Sequence, residues 1–489
     1  MNTTINPMYA KSKHKWRLVR DCVNDDVKRH AADPSVKADY DLSEGGYLIK
    51  PEAMSDKGFA AYCAAAEFTN FTGQTLDVLK GGAFSRPFKF TGPEGAELPE
   101  SIAYLLEDTD ARYTKLDDLL KLIATDVFSV GRIGLIVEYP QASEDEARTM
   151  ADIGVSGKRA KILTYSAESI VDWDEYGTYV KICEPYSMVA EGKARTNHTR
   201  EIELYIDEDG FYVQKVDDDD GSPIRIYEPR NGAGARLDYI PFWFVGADSN
   251  QPIPSRPPLY KQATLNLQHF RKDAQEAINQ HQYSHGTLFV STGDMDSQTF
   301  GMVNGLTDEG GNFVKPLAVG GTAYIVGQGG SATLLQAQTG DSISKTKMEI
   351  AENMVRIGAQ LITTGQNETA EAARIRKATG TASLGDMVGN IEDAMQSVIE
   401  TVSAMNNSNG QADEFKFEMN KKFFDDRLSP QTLQQLSKMA SLGQIPKEQL
   451  FDAMKRDGSL GISDSDDYQD WSDLIVESDT GGIDVDRMV

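Results

Sequence analysis

The sequence predicts an α+β protein of more than one structural region, and three observations predict it. Long segments carry apolar residues three or four apart, the period of a helix; the clearest runs through Leu384, Val388, Ile391, Met395, Val398, Val402 and Met405. A block between 161 and 245 alternates short apolar runs with turns rich in Asp and Gly, the pattern of an antiparallel meander. The length, 489 residues, exceeds what one hydrophobic core usually serves.

The elements follow in chain order. Residues 11–33 read as a helix ending near Asp33-Pro34, and 57–79 as one or two Ala-rich helices stopped by Lys80-Gly81-Gly82. A short extended piece spans 84–90. Leu116 to Ser129 forms a helix striped by Leu116, Leu119, Leu120, Ile123 and Val127, and Gly131 leads from it into a strand over 133–139. Beyond a linker at 141–158, strands are expected at 161–165, 179–183, 201–206, 211–216, 224–227 and 239–245, with DEDG (207–210) and DDDDGS (217–222) as solvated turns. Pro257-Pro258 opens a long helix to about Tyr283, with Leu259, Ala263, Leu267, Phe270, Ala274 and Ala277 on one face. A region rich in Gly, Ser and Thr follows, with short strands expected at 287–291, 323–326 and 332–336. A second long helix is expected over 341–363, and a third over 368–405. Gly380, Gly385 and Gly389 predict a bend near Gly380 and a close helix contact at GDMVG. A strand at 415–424 and two short helices within 429–460 complete the order. The segment 464–489, with nine acids and one arginine, is predicted to be disordered.

The charge narrows function. Forty-nine Lys and Arg stand against 75 Asp and Glu, a net charge of −26, which argues against a protein that grips nucleic acid through phosphate neutralisation. The basic stretch KSKHKWRLVR (11–20) reads as a solvated helix, or else as a contact arm for an acidic partner. Cys22, Cys63 and Cys183 are isolated, which predicts reduced thiols, not disulfides or a zinc site. No apolar run approaches the roughly 20 residues of a membrane span, and no apolar signal segment opens the chain.

A search for chemistry yields little. No Gly-x-x-x-x-Gly-Lys-Ser/Thr loop and no Gly-x-Ser-x-Gly elbow is present. The acidic turns fail the first and twelfth positions of a calcium loop. His281 and His285 share a helical spacing but lack the zincin glutamate. Catalytic residues, cofactors and metals are therefore expected to be none. What remains is architecture: two long helices joined through a Gly-rich β insert, then the loop TTGQNETAEAARIRKATG (363–380), then a third long helix.

Five segments in that order carry a resemblance: YCAAAEFTNFTGQTLDVLKGGAFSRP (62–87), SVGRIGLIVEYP (129–140), LTYSAESIVDW (163–173), RPPLYKQATLNLQHFR (256–271) and ETAEAARIR (368–376). Together the chain resembles the portal proteins of tailed bacteriophages, nearest to a portal-like family known as a domain of unknown function. It departs from that family at Ala64–Ala66, where a basic residue often follows the tyrosine.

The resemblance implies a portal fold: an α/β wing (1–256), a stem of two helices (257–283 and 341–363), a small β-containing clip (284–340), a tunnel loop (364–369), a long kinked helix with a returning wing strand (370–428), a helical crown (429–463) and the acidic tail. It implies a homo-oligomeric ring, usually of twelve subunits, at one capsid vertex of the virion, assembled in the host cytoplasm. Double-stranded DNA would pass through the ring during packaging and ejection. The partners implied are the terminase large subunit, the head–tail adaptor, and the major capsid and scaffold proteins, with no membrane. Thr364, Gly365, Gln366, Asn367, Glu368 and Thr369 would face the DNA, and Lys272, Asp273 and Glu276 would line the stem. The other readings left open are a different virion structural or scaffold protein, and a DNA-processing enzyme.

Overall fold

The computed structural model describes residues 5–33, 35, 46–51, 54–140, 159–188, 195–220, 222–284, 287–308, 312, 325–335, 342–362, 370–421 and a few positions beyond. At 188 and within 280–284, 287–289, 334–335, 359–362 and 370–382 the backbone alone is described. The chain divides into a unit comprising residues 1–421 and a second unit comprising 422–489. Of the second unit, helical residues at Lys438–Ala440 and at Glu448, Leu450 and Phe451 are described, within the span expected to hold two short helices.

In the first unit, α1 (Pro7–Val23) opens on Asn6, whose side chain accepts from Met8 N, with Pro7 in the first turn where no N–H is needed. The helix begins earlier and ends earlier than the sequence suggested. It is also less solvated: Trp16, Leu18, Val19 and Cys22 are buried, and Arg20 forms ion pairs with Asp126 at 2.6 Å and Glu168 at 2.9 Å. The 57–79 segment resolves into two helices, α2 (Asp56–Ala65) and α3 (Phe71–Ala83), each capped by a side chain, from Ser55 and Asn70. β1 (Lys89–Thr91), the short α4 (Glu100–Ala103) and α5 (Leu116–Ser129) follow. The whole predicted α5 stripe is buried.

Among the described residues, four antiparallel sheets form the β part. Three strands, β2 (Arg132–Glu138), β3 (Lys161–Ser166) and β9 (Phe242–Gly246), pair in the order β3-β2-β9. The expected single meander is thus divided, because its first and last strands pair with β2. The remaining five strands form the true meander: β4 (Ile170–Trp173), β5 (Tyr179–Met188), β6 (Thr196–Ile206), β7 (Tyr212–Asp218) and β8 (Arg225–Tyr227). The DEDG turn behaves as expected: Asp207 Oδ1 accepts from the Asp209 and Phe211 amides, and Gly210 takes a φ of 83°. DDDDGS does not. β7 extends into it, and Asp218 is buried between Arg200, at 2.7 Å, and Arg225.

After β9, α6 (Tyr260–Ser284) runs about 37 Å, at 1.5 Å per residue over 25 residues. The strands β10 (Thr287–Ser291) and β11 (Ser331–Leu335) pair as an antiparallel ribbon. Between them lies α7 (Ser297–Val303), a helix that the Gly-rich composition concealed, capped by Asp296. Of the strand expected at 323–326, residues 325 and 326 are not in a strand; 323 and 324 fall outside the described residues. The chain continues through α8 (Ser342–Ile362), α9 (Ala370–Asn406) and β12 (Lys416–Glu418), which pairs with β1.

The α9 seam predicted from Leu384 to Met405 is buried at every position. The helix is continuous across Gly380, Gly385 and Gly389. A Cβ on Gly389 would meet nothing within 4 Å, so a close helix contact is not its reason for being glycine. By contrast a Cβ on Gly134 of β2 would lie 2.4 Å from the Phe242 ring, a close approach that requires glycine.

Candidate functional site

Of the residues predicted to carry function, the described structure contains Lys272, Asp273 and Glu276; the loop Thr364–Thr369, with Glu368, falls outside the described residues. The three stem residues lie on α6, which pairs side by side with α8. Their order along the two helices is opposite: Glu276 meets Ser344, Asp273 meets Lys347, and Gln262 reaches the Met354 carbonyl. The pair is therefore an antiparallel hairpin with the β10-β11 ribbon inserted at its turn.

The start of α6 is fixed by local geometry. Gly131, with φ of 80°, lets the chain turn beneath Pro257-Pro258, and the Leu259 amide donates to the Ser129 carbonyl. From there α6 presents its expected apolar face, of which Leu259, Ala263, Leu267, Phe270 and Ala274 are buried. A second face is polar and equally hidden. Gln262, Asn266 and His269 are 2%, 0% and 7% exposed, and Asp273 and Glu276 continue the same row.

Each member of that row has a task. Gln262 donates to the Met354 carbonyl at 3.2 Å and to Thr75 Oγ1 at 3.3 Å, tying α6 to α8 and α3. Asn266 accepts from the amide and hydroxyl of Thr72 and donates to the Thr69 carbonyl at 2.8 Å, so its amide fixes the start of α3. Asp273 accepts from the Glu67 amide at 2.9 Å and from Lys347 Nζ at 3.0 Å. Glu276 meets Lys347 Nζ at 2.5 Å and accepts from the Ser344 hydroxyl. Lys347 is thus held between two carboxylates; burial works against its charge, but they more than offset it and its pKa is raised. The same lysine and Ser344 hold the Glu276 carboxyl below its ordinary range. Burial lowers the His269 pKa, with Lys347 adding to it, so the ring is favoured neutral; it stands edge-on to Phe71 at 5.5 Å, and its Nδ1 has no hydrogen-bond partner among the described residues.

This arrangement fixes the register and spacing of two long helices. Asp273 and Glu276 come together on Lys347, whereas Lys272 does not join them: it donates to Gln275 at 3.2 Å on its own helix. Sequence reasoning missed Gln262, Asn266, His269 and Lys347 as functional positions. The signal was present, since 262, 266, 269, 273 and 276 are spaced four and three apart, a heptad row of polar residues on a helix expected to be packed.

α8 is covered on one side. Met354 and Gly358 are buried, the latter with Thr75 Oγ1 3.1 Å from where its Cβ would be, while Met348 and Val355 are 62% and 60% exposed.

Comparison with known proteins adds three findings. Residues 258–405, spanning α6 to α9, match the model of a domain of unknown function (DUF4055). None of the curated proteins matches. Among solved structures, the chain is similar to one in the virion of a native gene transfer agent particle, at 9% identity and a TM-score of 0.36, over 78% of this chain and 88% of that one. It is also similar to one in the neck of the native gene transfer agent particle, at 9% identity and a TM-score of 0.34, over 81% of this chain and 91% of that one.

Proposed function

We propose that this chain is a virion structural protein without enzymatic activity and, more specifically, a portal subunit of a tailed-phage-like particle. In this reading copies assemble into a ring at one capsid vertex, DNA passes through the ring, and the β10-β11 ribbon meets the packaging motor and later the adaptor. The observation that carries it is the α6–α8 hairpin, clamped by Lys347 between Asp273 and Glu276, bearing a β ribbon at its turn and followed by the 37-residue α9. A rigid two-helix rod of about 37 Å suits a wall element of a channel. The five resembling segments follow the same order, and the matched domain covers rod, ribbon and long helix. Exposed Met348 and Val355 give α8 an apolar surface suited to a neighbouring copy.

Electron microscopy of the purified protein tests the reading: closed rings of uniform subunit number are expected. Monomers or open aggregates across all concentrations would count decisively against it. Deleting residues 364–369 is expected to leave ring assembly intact but impair genome packaging or retention, and normal packaging by that variant would remove the tunnel-loop role.

A further inference from the structure

The three-stranded sheet and the five-stranded meander enclose a cavity of about 600 Å³, within the range of small-molecule sites. The ends of β2 and β3 form one wall, and β6, β7 and β8 the other. Five basic side chains line the cavity (Arg112, Lys161, Arg200, Arg225 and Arg230) against three acidic ones, in a protein whose net charge is −26. Lys161 is neutralised by Glu138 at 3.1 Å, Arg200 and Arg225 share the buried Asp218, Arg200 also meets Glu184 at 3.5 Å, and Arg230 lies 3.8 Å from Glu228. Arg112, exposed and close enough to influence both the Asp110 carboxylate and the Tyr165 phenol, makes no ion pair within 4 Å among the described residues.

A second, independent observation lies deeper. Tyr212 lines the same cavity from β7 and is 2% exposed, and its hydroxyl has no hydrogen-bond partner among the described residues. Its phenol sits near Glu138 and Tyr165, both of which line the space. Buried hydroxyls are costly to leave unpaired, so this one favours a polar group brought into the cavity. The remaining surface is half apolar, with Leu163, Leu237 and Met405.

We propose that this cavity binds a small organic anion with an aromatic or apolar body, the anionic group meeting Arg112 and the body lying between the sheets beside Tyr165 and Tyr212. The site is separate from the helix hairpin and does not depend on the ring reading.

Anilinonaphthalene sulfonate, an aromatic anion, is a direct probe, with uncharged phenylnaphthylamine as its neutral counterpart. Fluorescence titration of the full chain is expected to show saturable anion binding. Arg112→Gln should weaken it about tenfold while leaving the neutral probe unchanged. Gln214→Trp, which fills the cavity from a half-buried position on β7, should abolish binding of both. Circular dichroism and thermal melting would establish that each variant remains folded. Absence of saturable binding, or equal loss of both probes in Arg112→Gln, would overturn the anion site; so would unchanged binding in Gln214→Trp.

Discussion

Arg132, the first residue of β2, is 2% exposed, and none of its three side-chain nitrogens has a hydrogen-bond partner among the described residues. Its guanidinium lies 4.0 Å from the Trp173 ring centroid and 4.5 Å from that of Phe244, so two aromatic faces take the place of a counter-charge. Burial pulls its pKa well below the ordinary arginine value, a sign that the charged form is penalised here. The two stacks contribute about 2 kcal/mol each when desolvated, whereas burying a charge costs several. The cost should win. Arg132→Met puts an apolar chain against Trp173 and Phe244 in place of the guanidinium and removes the orphan donors, so a gain of about 1 to 3 kcal/mol in unfolding free energy is expected from denaturant titration. A loss of that size would mean the aromatic sandwich outweighs desolvation. Nothing local marked this position: the strand was expected over 133–139, one residue after Arg132, whereas β2 begins at Arg132 itself.

The helices and strands were legible where one physical signal dominated. The α5 stripe and the α9 seam show the helical period without interruption, and their predicted core residues are all buried. β4 was missed because Ile170–Trp173 is four residues long and pairs with β5 through an irregular register. The division into two sheets was unreadable, since a local pattern of alternation does not say which strand a segment will meet. The hairpin shows the same limit. Asp273 and Glu276 were expected, from the resemblance, to line the stem, but Lys347 is 74 residues from Asp273, and only folding makes them one cluster. That cluster carries a testable linkage. Glu276 has a folded pKa below its unfolded value, so the unfolded chain takes up the proton first as pH falls. Its contribution is complete above the ordinary carboxylate pKa of about 4.3 and is lost on acidification through the lower folded value. Lys347→Met should cost about 1 kcal/mol at neutral pH and flatten the acid limb of stability against pH. A cycle with Glu276→Gln would measure the coupling; strictly additive effects would show that the ion pair contributes nothing.

For the molecule entire, the excess of 75 acidic over 49 basic residues bears on how it would meet DNA. The basic stretch near the N-terminus does little to offset it. Arg17 is engaged with Asp33 and Ser35, Arg20 with Asp126 and Glu168, and Lys15 lies 6.0 Å from the Tyr260 ring, which leaves Lys11 and Lys13 exposed. Affinity for duplex DNA grows with each phosphate neutralised, and its logarithm falls with that of salt by about 0.9 per phosphate. With Lys11 and Lys13 the exposed bases of that stretch, it neutralises few phosphates, and in the proposed ring the acidic excess would be multiplied. A conduit through which DNA slides needs this weakness, because every phosphate held would have to be released at each step. Fluorescence anisotropy with a labelled duplex is therefore expected to show no binding at about 0.15 M salt, tighter than the roughly 10⁻⁴ to 10⁻⁶ M of ordinary non-specific binding, and a salt slope near zero. Submicromolar affinity with a steep salt slope would instead reveal a phosphate-gripping surface, and would favour a DNA-processing role over a passage.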